Sequence, residues 1–191
     1  MLGYLPAFEV MQQNIVLAFA YLIGAALFAK TLQGQAIDVL FNNAGIAGRE
    51  AGTLGSIDSK VWIETLRVNT IAPIKICEAF VEHVAASSQK KMVFTSSRLG
   101  SIELNTGGDR YAYNSSKAGL NMASKSLSVD LRSRGIITAV LHPGHVRTDM
   151  GGAAAPVLPH EAAAGMRKVT AGLSLAQSGS FINYDGSPIP W

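Results

Sequence analysis

The sequence predicts one domain of the α/β class, built on a parallel β-sheet. After residue 36, short apolar runs bounded by glycine or polar residues alternate with longer segments of helical period, which is typical of parallel strands joined by helices. The length of 191 residues fits one compact domain. Apolar residues make up 48% of the chain and charged residues only 15%, which favours a folded core and excludes a disordered protein.

The first predicted strand covers residues 37–41, a short run rich in β-branched and aromatic side chains that ends in a tight turn of sequence Asn-Asn-Ala-Gly. A long helix is expected next, from about residue 59 to residue 86, with Ser56 or Asp58 as its N-cap. Pro73 should kink this helix, because proline has no amide hydrogen to donate.

The rest of the chain continues the alternation of strands and helices. Gly135 should end one of these helices, since glycine is favoured just after a helix C-terminus. The elements expected are a strand at 91–96, a helix at 113–134, a strand at 136–141, a loop at 151–159, a helix at 160–173 and a strand at 181–184.

Charge and cysteine content exclude several classes of protein. The net charge of +3 is too small and too scattered for a nucleic-acid-binding surface. Cys77 is the single cysteine, so no internal disulfide can form, and we expect the reducing environment of the cytoplasm. Its apolar neighbours indicate packing rather than nucleophilic catalysis. His142, His145 and Asp149 are not spaced as a metal site requires, so no metal is expected.

The first 36 residues are nearly uncharged, with Glu9 and Lys30 as their two charged side chains. The apolar run at 15–29 is shorter than the roughly 20 residues that span a bilayer, and the residues before it lack the positive charge of a signal peptide. A buried or partner-facing helix is therefore favoured, and a membrane anchor is the weaker alternative. We divide the chain into an atypical apolar segment at 1–25 and a domain at 26–191.

Tyr113 and Lys117 lie four residues apart on a predicted helix, so their side chains leave the same face one turn apart. A nearby ammonium favours the ionised phenol and lowers the tyrosine pKa from about 10, which suits proton transfer near neutral pH. On its own, however, a tyrosine and a lysine at this spacing most often form an ordinary pair on the helix surface.

Other polar segments lie where open parallel sheets bind ligands, outside the carboxyl ends of strands. They are the Asn-Asn-Ala-Gly turn at 42–45, the loop containing Ser97-x-x-Gly100, and the turn at Pro143. Asn69 lies inside the long helix between the first two of them. Each of these segments could therefore contact a bound ligand.

Taken together, these motifs resemble the short-chain dehydrogenase/reductase family. In order they are Asn-Asn-Ala-Gly at 42–45, Asn69, Ser97, Tyr-x-x-x-Lys at 113–117 and His-Pro-Gly-His-Val-Arg-Thr at 142–148. The resemblance covers about residues 28–191, and the segments 95–105 and 179–191 look most like the C-factor/sniffer-like carbonyl reductase branch. It implies a Rossmann-like doubly wound parallel sheet and reversible hydride transfer between NAD(P)H and a small carbonyl or alcohol.

The resemblance also implies a catalytic role for four residues. Tyr113 would protonate the forming alkoxide, while Lys117 would lower the pKa of Tyr113 and bind the nicotinamide ribose. Ser97 would bind the carbonyl oxygen and stabilise charge as it develops there. Asn69 would hold a water of the proton relay.

The choice of Ser97 over Ser96 and Ser101 depends on pattern, because Ser97 begins the Ser-x-x-Gly sequence. The other two are interpreted as structural residues: Ser96 as the end of a strand and Ser101 as a polar residue of the loop. The residues expected from the resemblance to bind NADP or NAD are Asn43, Ala44, Gly45, Tyr113, Lys117, Pro143, Gly144, Val146 and Thr148.

The chain departs from the family at its start. The family begins with a strand, a T-G-x-x-x-G-x-G turn and a helix that hold the cofactor pyrophosphate, whereas here the glycines before residue 37 are Gly3, Gly24 and Gly34. The sequence therefore predicts a fold that lacks its first βαβ portion, with an exposed sheet edge and weakened cofactor binding.

Two functions remain open from the sequence. One is an oxidoreductase that reduces a small carbonyl compound with NAD(P)H, and the other is a catalytically impaired remnant or interaction subunit with weak or no cofactor binding. In the family, subunits pair through two long helices, so the resemblance implies a homo-oligomer through the helices at 59–86 and 113–134.

Overall fold

The described part of the chain is a four-stranded parallel sheet with helices on both faces. The computed structural model describes residues 25–191, so nearly all of the apolar segment at 1–25 lies outside the described residues. The strands are β1 (Val39–Asn42), β2 (Lys91–Thr95), β3 (Ile137–His142) and β4 (Ser180–Asn183), paired in that order. This architecture confirms the predicted Rossmann-like α/β class. β1 begins two residues later than predicted, and in the described chain it pairs on one side alone.

Residues 25–31 are helical, and four α-helices follow β1 in the described chain: α1 (Ser59–Leu66), α2 (Ala72–Ala85), α3 (Tyr111–Asp130) and α4 (Pro159–Gly172). Asp58, rather than Ser56, caps α1, because its Oδ1 accepts hydrogen bonds from the amides of Lys60 and Val61. Gly135 has a φ of 71°, the left-handed conformation expected where a helical segment ends. Within residues 25–191, no helix has both the length and the apolar composition needed to cross a membrane.

The long helix predicted at 59–86 is interrupted in its middle. The segment Arg67–Ile71 is π-helical, and the amide of Ala72 donates to the carbonyl of Arg67, five residues earlier. Pro73 lies in the first turn of α2, where its missing amide hydrogen costs least. The predicted kink therefore takes the form of a π-helical turn just before Pro73, and such turns are frequent at functional sites.

The core lies on both faces of β2 and β3. Met92 and Phe94 belong to a buried cluster that also contains Cys77 of α2 and Leu120 of α3. Val93 points to the opposite face and joins a second cluster beside α4. Because both faces are covered, β2 is buried at each of its first four residues, and its apolar residues Met92, Val93 and Phe94 are consecutive rather than alternating.

Cys77 belongs to this core rather than to a site. It is 1% exposed, and its sulfur accepts a hydrogen bond from Nδ2 of Asn42 at 3.6 Å. Burial raises the pKa of the thiol to about 12. The thiol is therefore protonated at neutral pH and is a poor nucleophile.

Candidate active site

The carboxyl ends of β1, β2 and β3 form one edge of the sheet. Because the strands are parallel and in register, Asn42 lies beside Phe94, and Thr95 lies beside Leu141. The segments that leave these strands therefore start side by side. Crevices at such an edge are where open parallel sheets bind ligands.

Ser97 lies in the loop that leaves β2. It caps the short 3-10 turn Arg98–Gly100, and its Oγ accepts a hydrogen bond from the amide of Leu99 at 3.2 Å. A hydroxyl group can accept and donate at once, and Ser97 also forms a hydrogen bond with the phenol of Tyr113. Ser97 thus joins the loop to the predicted general acid.

The two neighbouring serines are engaged elsewhere. The hydroxyl of Ser96 donates to Oδ1 of Asn121 at 2.6 Å. The hydroxyl of Ser101 donates to the carbonyl of Trp191 at 3.3 Å. Both are nearly fully buried in these roles, so the geometry supports the choice of Ser97.

Gly100 gives a physical reason for the Ser-x-x-Gly spacing. A Cβ atom at this position would lie 2.8 Å from the carbonyl carbon and from the Cβ of Lys117, which is closer than real Cβ contacts. Only glycine allows the loop to pack directly on α3. This close packing brings Ser97 to the amino-terminal part of α3.

Tyr113 lies in the first turn of α3 and is half-buried. Burial raises the pKa of its phenol, while the hydrogen bond with Ser97 and the charge of Arg110 act in the opposite direction. The net direction is upward, so the phenol is protonated at neutral pH. It can therefore act as a proton donor.

Lys117 lies one turn further along α3 and is 3% exposed. Its Nζ donates a hydrogen bond to the carbonyl of Thr95 at 2.9 Å and lies 5.8 Å from the centre of the Tyr113 ring. Burial lowers the pKa of the ammonium to about 8, because the charged form loses hydration. The two side chains lie on one face of the helix, as their spacing indicates. That Lys117 lowers the pKa of Tyr113 stays a prediction.

Asn69 lies in the π-helical turn and is fully buried. Its Oδ1 accepts from the amide of Ile46 at 2.8 Å, and its Nδ2 donates to the carbonyl of Ile46 and to Oγ of Ser116, both at 2.9 Å. The side chain therefore ties the segment after β1 to α3. Because these side-chain atoms already bind protein groups, the water-holding role stays a prediction. Ser116, which the sequence did not single out, completes this connection.

Thr95 is a second residue that the sequence did not single out. Its carbonyl accepts the hydrogen bond from Lys117, and its hydroxyl donates to Oδ1 of Asn43 at 2.8 Å. Thr95 thus joins the turn after β1 to α3. Its place at the carboxyl end of a strand, two residues before Ser97, is the signal that could have identified it.

The turn after β1 approaches the buried lysine through Gly45. A Cβ atom on Gly45 would lie 3.3 Å from Nζ of Lys117 and 3.2 Å from Oδ1 of Asn69. Asn43 and Ala44 are exposed beside it. The absence of a side chain at Gly45 therefore lets the backbone of this turn lie close to the ammonium of Lys117 at the sheet edge.

The turn after β3 lies at the same sheet edge, where Pro143 follows the strand directly. Gly144 has a φ of 85°, and a Cβ atom there would lie 2.9 Å from the ring of Tyr184. Oγ1 of Thr148 accepts from the amide of Gly151 at 3.1 Å, while Val146 is half-buried. These contacts hold the loop in a defined conformation.

A cavity of about 410 Å³, here termed the Arg98 cavity, opens between the loop after β2 and the turn after β3. The residues that line it include Arg98, His142 and His145 and the apolar Leu104 and Ile189. Burial lowers the pKa of His142 to about 4, with the charge of Arg98 acting in the same direction. In residues 25–191, no group of three or more His, Cys, Asp or Glu side chains could hold a metal ion.

Comparison with known proteins identifies close relatives. The family model for short chain dehydrogenases matches residues 24–157. The C-signal protein of Myxococcus xanthus is 39% identical over 164 residues, which cover 86% of this chain and 98% of that protein. The 1-hydroxy-2-glutathionyl-2-methyl-3-butene dehydrogenase of Rhodococcus is 32% identical over 190 residues, covering 97% of this chain and 79% of that enzyme.

Solved structures share the fold. The carbonyl reductase Sniffer of D. melanogaster superposes with a TM-score of 0.81 at 37% identity, covering 91% of this chain and 74% of that one. The NADPH-bound carbonyl reductase from chicken fatty liver gives a TM-score of 0.81 at 35% identity, covering 91% and 73% of the two chains. The similarity thus extends through nearly all of the described residues.

Proposed function

Because this chain belongs to the short chain dehydrogenase family, in its C-factor/sniffer-like branch, we propose that it is an oxidoreductase that reduces a small carbonyl compound with NAD(P)H. The same site would oxidise the corresponding alcohol in the reverse direction. The observation that carries the proposal is the convergence of Ser97, Tyr113 and Lys117 beside the carboxyl end of β2.

The surroundings of Lys117 fit the nicotinamide-ribose part of NAD(P). An ammonium group has three hydrogens to donate, and Nζ of Lys117 uses one of them on the carbonyl of Thr95. Gly45 has no side chain to block the approach to this Nζ. Lys117 and the backbone of residues 43–45 would therefore hold the ribose hydroxyls. When bound, the cofactor supplies the hydride in reduction and accepts it in oxidation.

The side chains of this site perform the remaining steps. Ser97 would donate a hydrogen bond to the carbonyl oxygen of the substrate and stabilise the negative charge that develops there. Tyr113, protonated at neutral pH, would give its proton to the same oxygen. The charge of Lys117 would then stabilise the phenolate that remains.

A second candidate function is that of a remnant or an interaction subunit that binds NAD(P) weakly or not at all. The exposed apolar side chains Ile63 of α1 and Met122 and Val129 of α3 support pairing of two copies through these helices.

Cofactor binding decides between these candidates. The fluorescence of NADPH is titrated with the purified chain, and saturable binding is expected for the oxidoreductase. No saturable binding at millimolar cofactor would refute the proposal for this chain. Light scattering across a dilution series tests the oligomer.

The catalytic step is tested with Tyr113→Phe. This variant should lose about 10²–10⁴-fold in kcat for carbonyl reduction while keeping its affinity for NADPH, because it lacks only the acidic hydrogen. Tyr111→Phe is the matched control, since Tyr111 lies on the same helix but contacts the ring of Trp62. Equal losses in both variants would contradict the role of Tyr113.

A further inference from the structure

Tyr184 lies beside the turn after β3, although neither the motifs nor the proposed chemistry uses it. It follows Asn183, the last residue of β4, and β3 and β4 pair so that His142 lies beside Asn183. Because the two strands are parallel, the residues that come next, Pro143 and Tyr184, leave the sheet side by side. The turn that begins at Pro143 is one of the segments expected to bind NAD(P).

Two glycine positions lie against opposite edges of the Tyr184 ring. A Cβ atom on Gly144 would lie 2.9 Å from Cε1 and 3.1 Å from Cδ1 of this ring. On the other edge, a Cβ atom on Gly165 of α4 would lie 2.8 Å from Cδ2. Distances of 2.8 and 2.9 Å are shorter than real Cβ contacts, so glycine at both positions lets the ring fit between the turn and α4.

The turn at Gly144 opens a loop that returns to it at Val157. A Cβ atom on Gly144 would lie 3.1 Å from Cγ2 of Val157. The amide of Val157 donates to the carbonyl of His145 at 3.1 Å, and the amide of Arg147 donates to the carbonyl of Val157 at 2.9 Å. α4 begins two residues later. The loop therefore starts and ends at this turn, and the ring of Tyr184 contacts both the turn and the helix that follows the loop.

Empty space lies next to the ring. Tyr184 lines the Arg98 cavity together with Gly144, and it also lines a second cavity of about 510 Å³ beside α4. Close packing therefore does not surround the turn on every side. A smaller side chain at position 184 would leave room for the turn to shift.

We infer that Tyr184 is a positioning residue of the proposed reductase, whose ring holds the turn after β3 in the place where it binds the nicotinamide of NAD(P). This inference rests on the proposed function. Tyr184 acts through Gly144 and not on the reacting atoms. A displacement of about 1 Å at a group that orients the reactants costs up to about 100-fold in rate, so the position of this turn matters for hydride transfer.

Two substitutions of Tyr184 separate the ring from its hydroxyl group. Tyr184→Leu removes the ring, whereas Tyr184→Phe keeps every ring carbon that contacts the two glycines. With NADPH and benzaldehyde, we expect Tyr184→Leu to lower kcat for each NADPH-binding site about 10–100-fold and to raise the Kd of NADPH. Tyr184→Phe should keep the wild-type values. A Kd obtained by fluorescence titration does not depend on the folded fraction, so a merely structural role would leave it unchanged.

Phe181→Leu is the matched control, because it replaces an aromatic ring by leucine on the same strand. The ring of Phe181 belongs to the core and stacks on Trp191, away from the turn. This variant should be less stable but should keep the wild-type Kd and the wild-type kcat for each binding site. The inference is wrong if Tyr184→Leu keeps both values as well, or if Tyr184→Phe is as impaired as Tyr184→Leu.

Trypsin cleavage tests the contact in the absence of cofactor. Arg147 is an exposed residue of the loop, and Arg132, exposed in the 3-10 turn before β3, is the reference site. Proteolysis of a folded chain requires local opening, so the rate of cleavage after Arg147 relative to Arg132 should rise in Tyr184→Leu. The ratio should stay at the wild-type value in Tyr184→Phe and in Phe181→Leu, as measured by mass spectrometry.

The cleavage ratio also distinguishes failure of this inference from failure of the proposed function. If the wild-type chain does not bind NADPH, the proposed function fails, yet a raised ratio in Tyr184→Leu would still support Tyr184 as the residue that holds the turn. An unchanged ratio in Tyr184→Leu would overturn the inference, whatever the chain binds.

Discussion

Replacing Lys117 with methionine should make the folded chain more stable while removing its activity. The ammonium of Lys117 is 3% exposed and has one protein hydrogen bond, to the carbonyl of Thr95. A charge held in this way is costly for folding, and a function that needs it is the usual reason to keep it. Methionine has a similar length and no charge.

The magnitude follows from the pKa of Lys117, which burial lowers from 10.5 to about 8. At about 1.36 kcal/mol for each tenfold change in the equilibrium, the charged form costs the folded state about 3 kcal/mol at pH 7. The substitution also leaves the carbonyl of Thr95 without this donor, which costs about 1 kcal/mol. The free energy of unfolding should therefore rise by about 2 kcal/mol at pH 7.

The difference should depend on pH with a definite sign. Below pH 8, Lys117 is charged in both the folded and the unfolded chain, so its cost is present in full. Between pH 8 and 10.5, the unfolded chain binds more protons at this residue, so the wild-type chain regains stability relative to the variant as the pH rises. Groups that do not interact with Lys117, such as Cys77, titrate equally in both proteins and cancel in the difference.

Urea denaturation from pH 6 to 10.5 measures this difference, and Lys125→Met is the matched control. Lys125 lies on the same helix but is exposed, so its substitution should give a difference that changes little with pH. Parallel stability curves for the wild type and Lys117→Met would refute the reasoning. A loss of stability by several kcal/mol at pH 7 would do the same, because it would mean that the buried ammonium is well compensated.

Three further predictions concern residues that hold the strands, loops and helices around the site together. Lys91→Met should destabilise the chain by about 1–3 kcal/mol in thermal or urea unfolding, because the buried Nζ donates two hydrogen bonds to carbonyls in the last turn of α4. Gly100→Ala should lower both stability and kcat, since its Cβ would lie 2.8 Å from the backbone of α3; an unchanged kcat would show that the loop adjusts freely. Ser116→Ala should cost about 1–2 kcal/mol and weaken NADPH binding, because Nδ2 of Asn69 loses one partner; fluorescence titration checks the second effect.

Most of the fold could be predicted because its signals are local. The strand predicted at 91–96 is marked by three consecutive apolar residues, and Gly135 adopts the left-handed conformation after a helical segment, so neighbouring residues alone indicate each element. The start of β1 was predicted two residues too early, since an apolar run continues where the hydrogen bonds of the sheet do not. The sequence predicted an irregularity of the helix at Pro73 but not its form, a π-helical turn just before that residue.

In the candidate site, too, the features with local sequence signals could be predicted, and the contacts between residues far apart in the chain could not. The shared face of Tyr113 and Lys117 follows from a four-residue spacing on one helix. Thr95 and Ser116 escaped notice because their partners lie far away in the chain, 22 residues on for Thr95 and 47 residues back for Ser116. Nothing in a local sequence pattern reports such contacts.

The sequence alone determined the order of strands and helices, the family resemblance and the four candidate catalytic residues, because periodicity, turn chemistry and motif spacing are written along the chain. Only the tertiary structure decided which of three serines meets Tyr113, what the side chain of Asn69 binds, and that Arg98 and His142 share one cavity. The physical reason is that these features come from packing between segments that leave different strands. Side-chain partners are therefore set by the close approach of the loop at Gly100 and the turn at Gly45 to one helix.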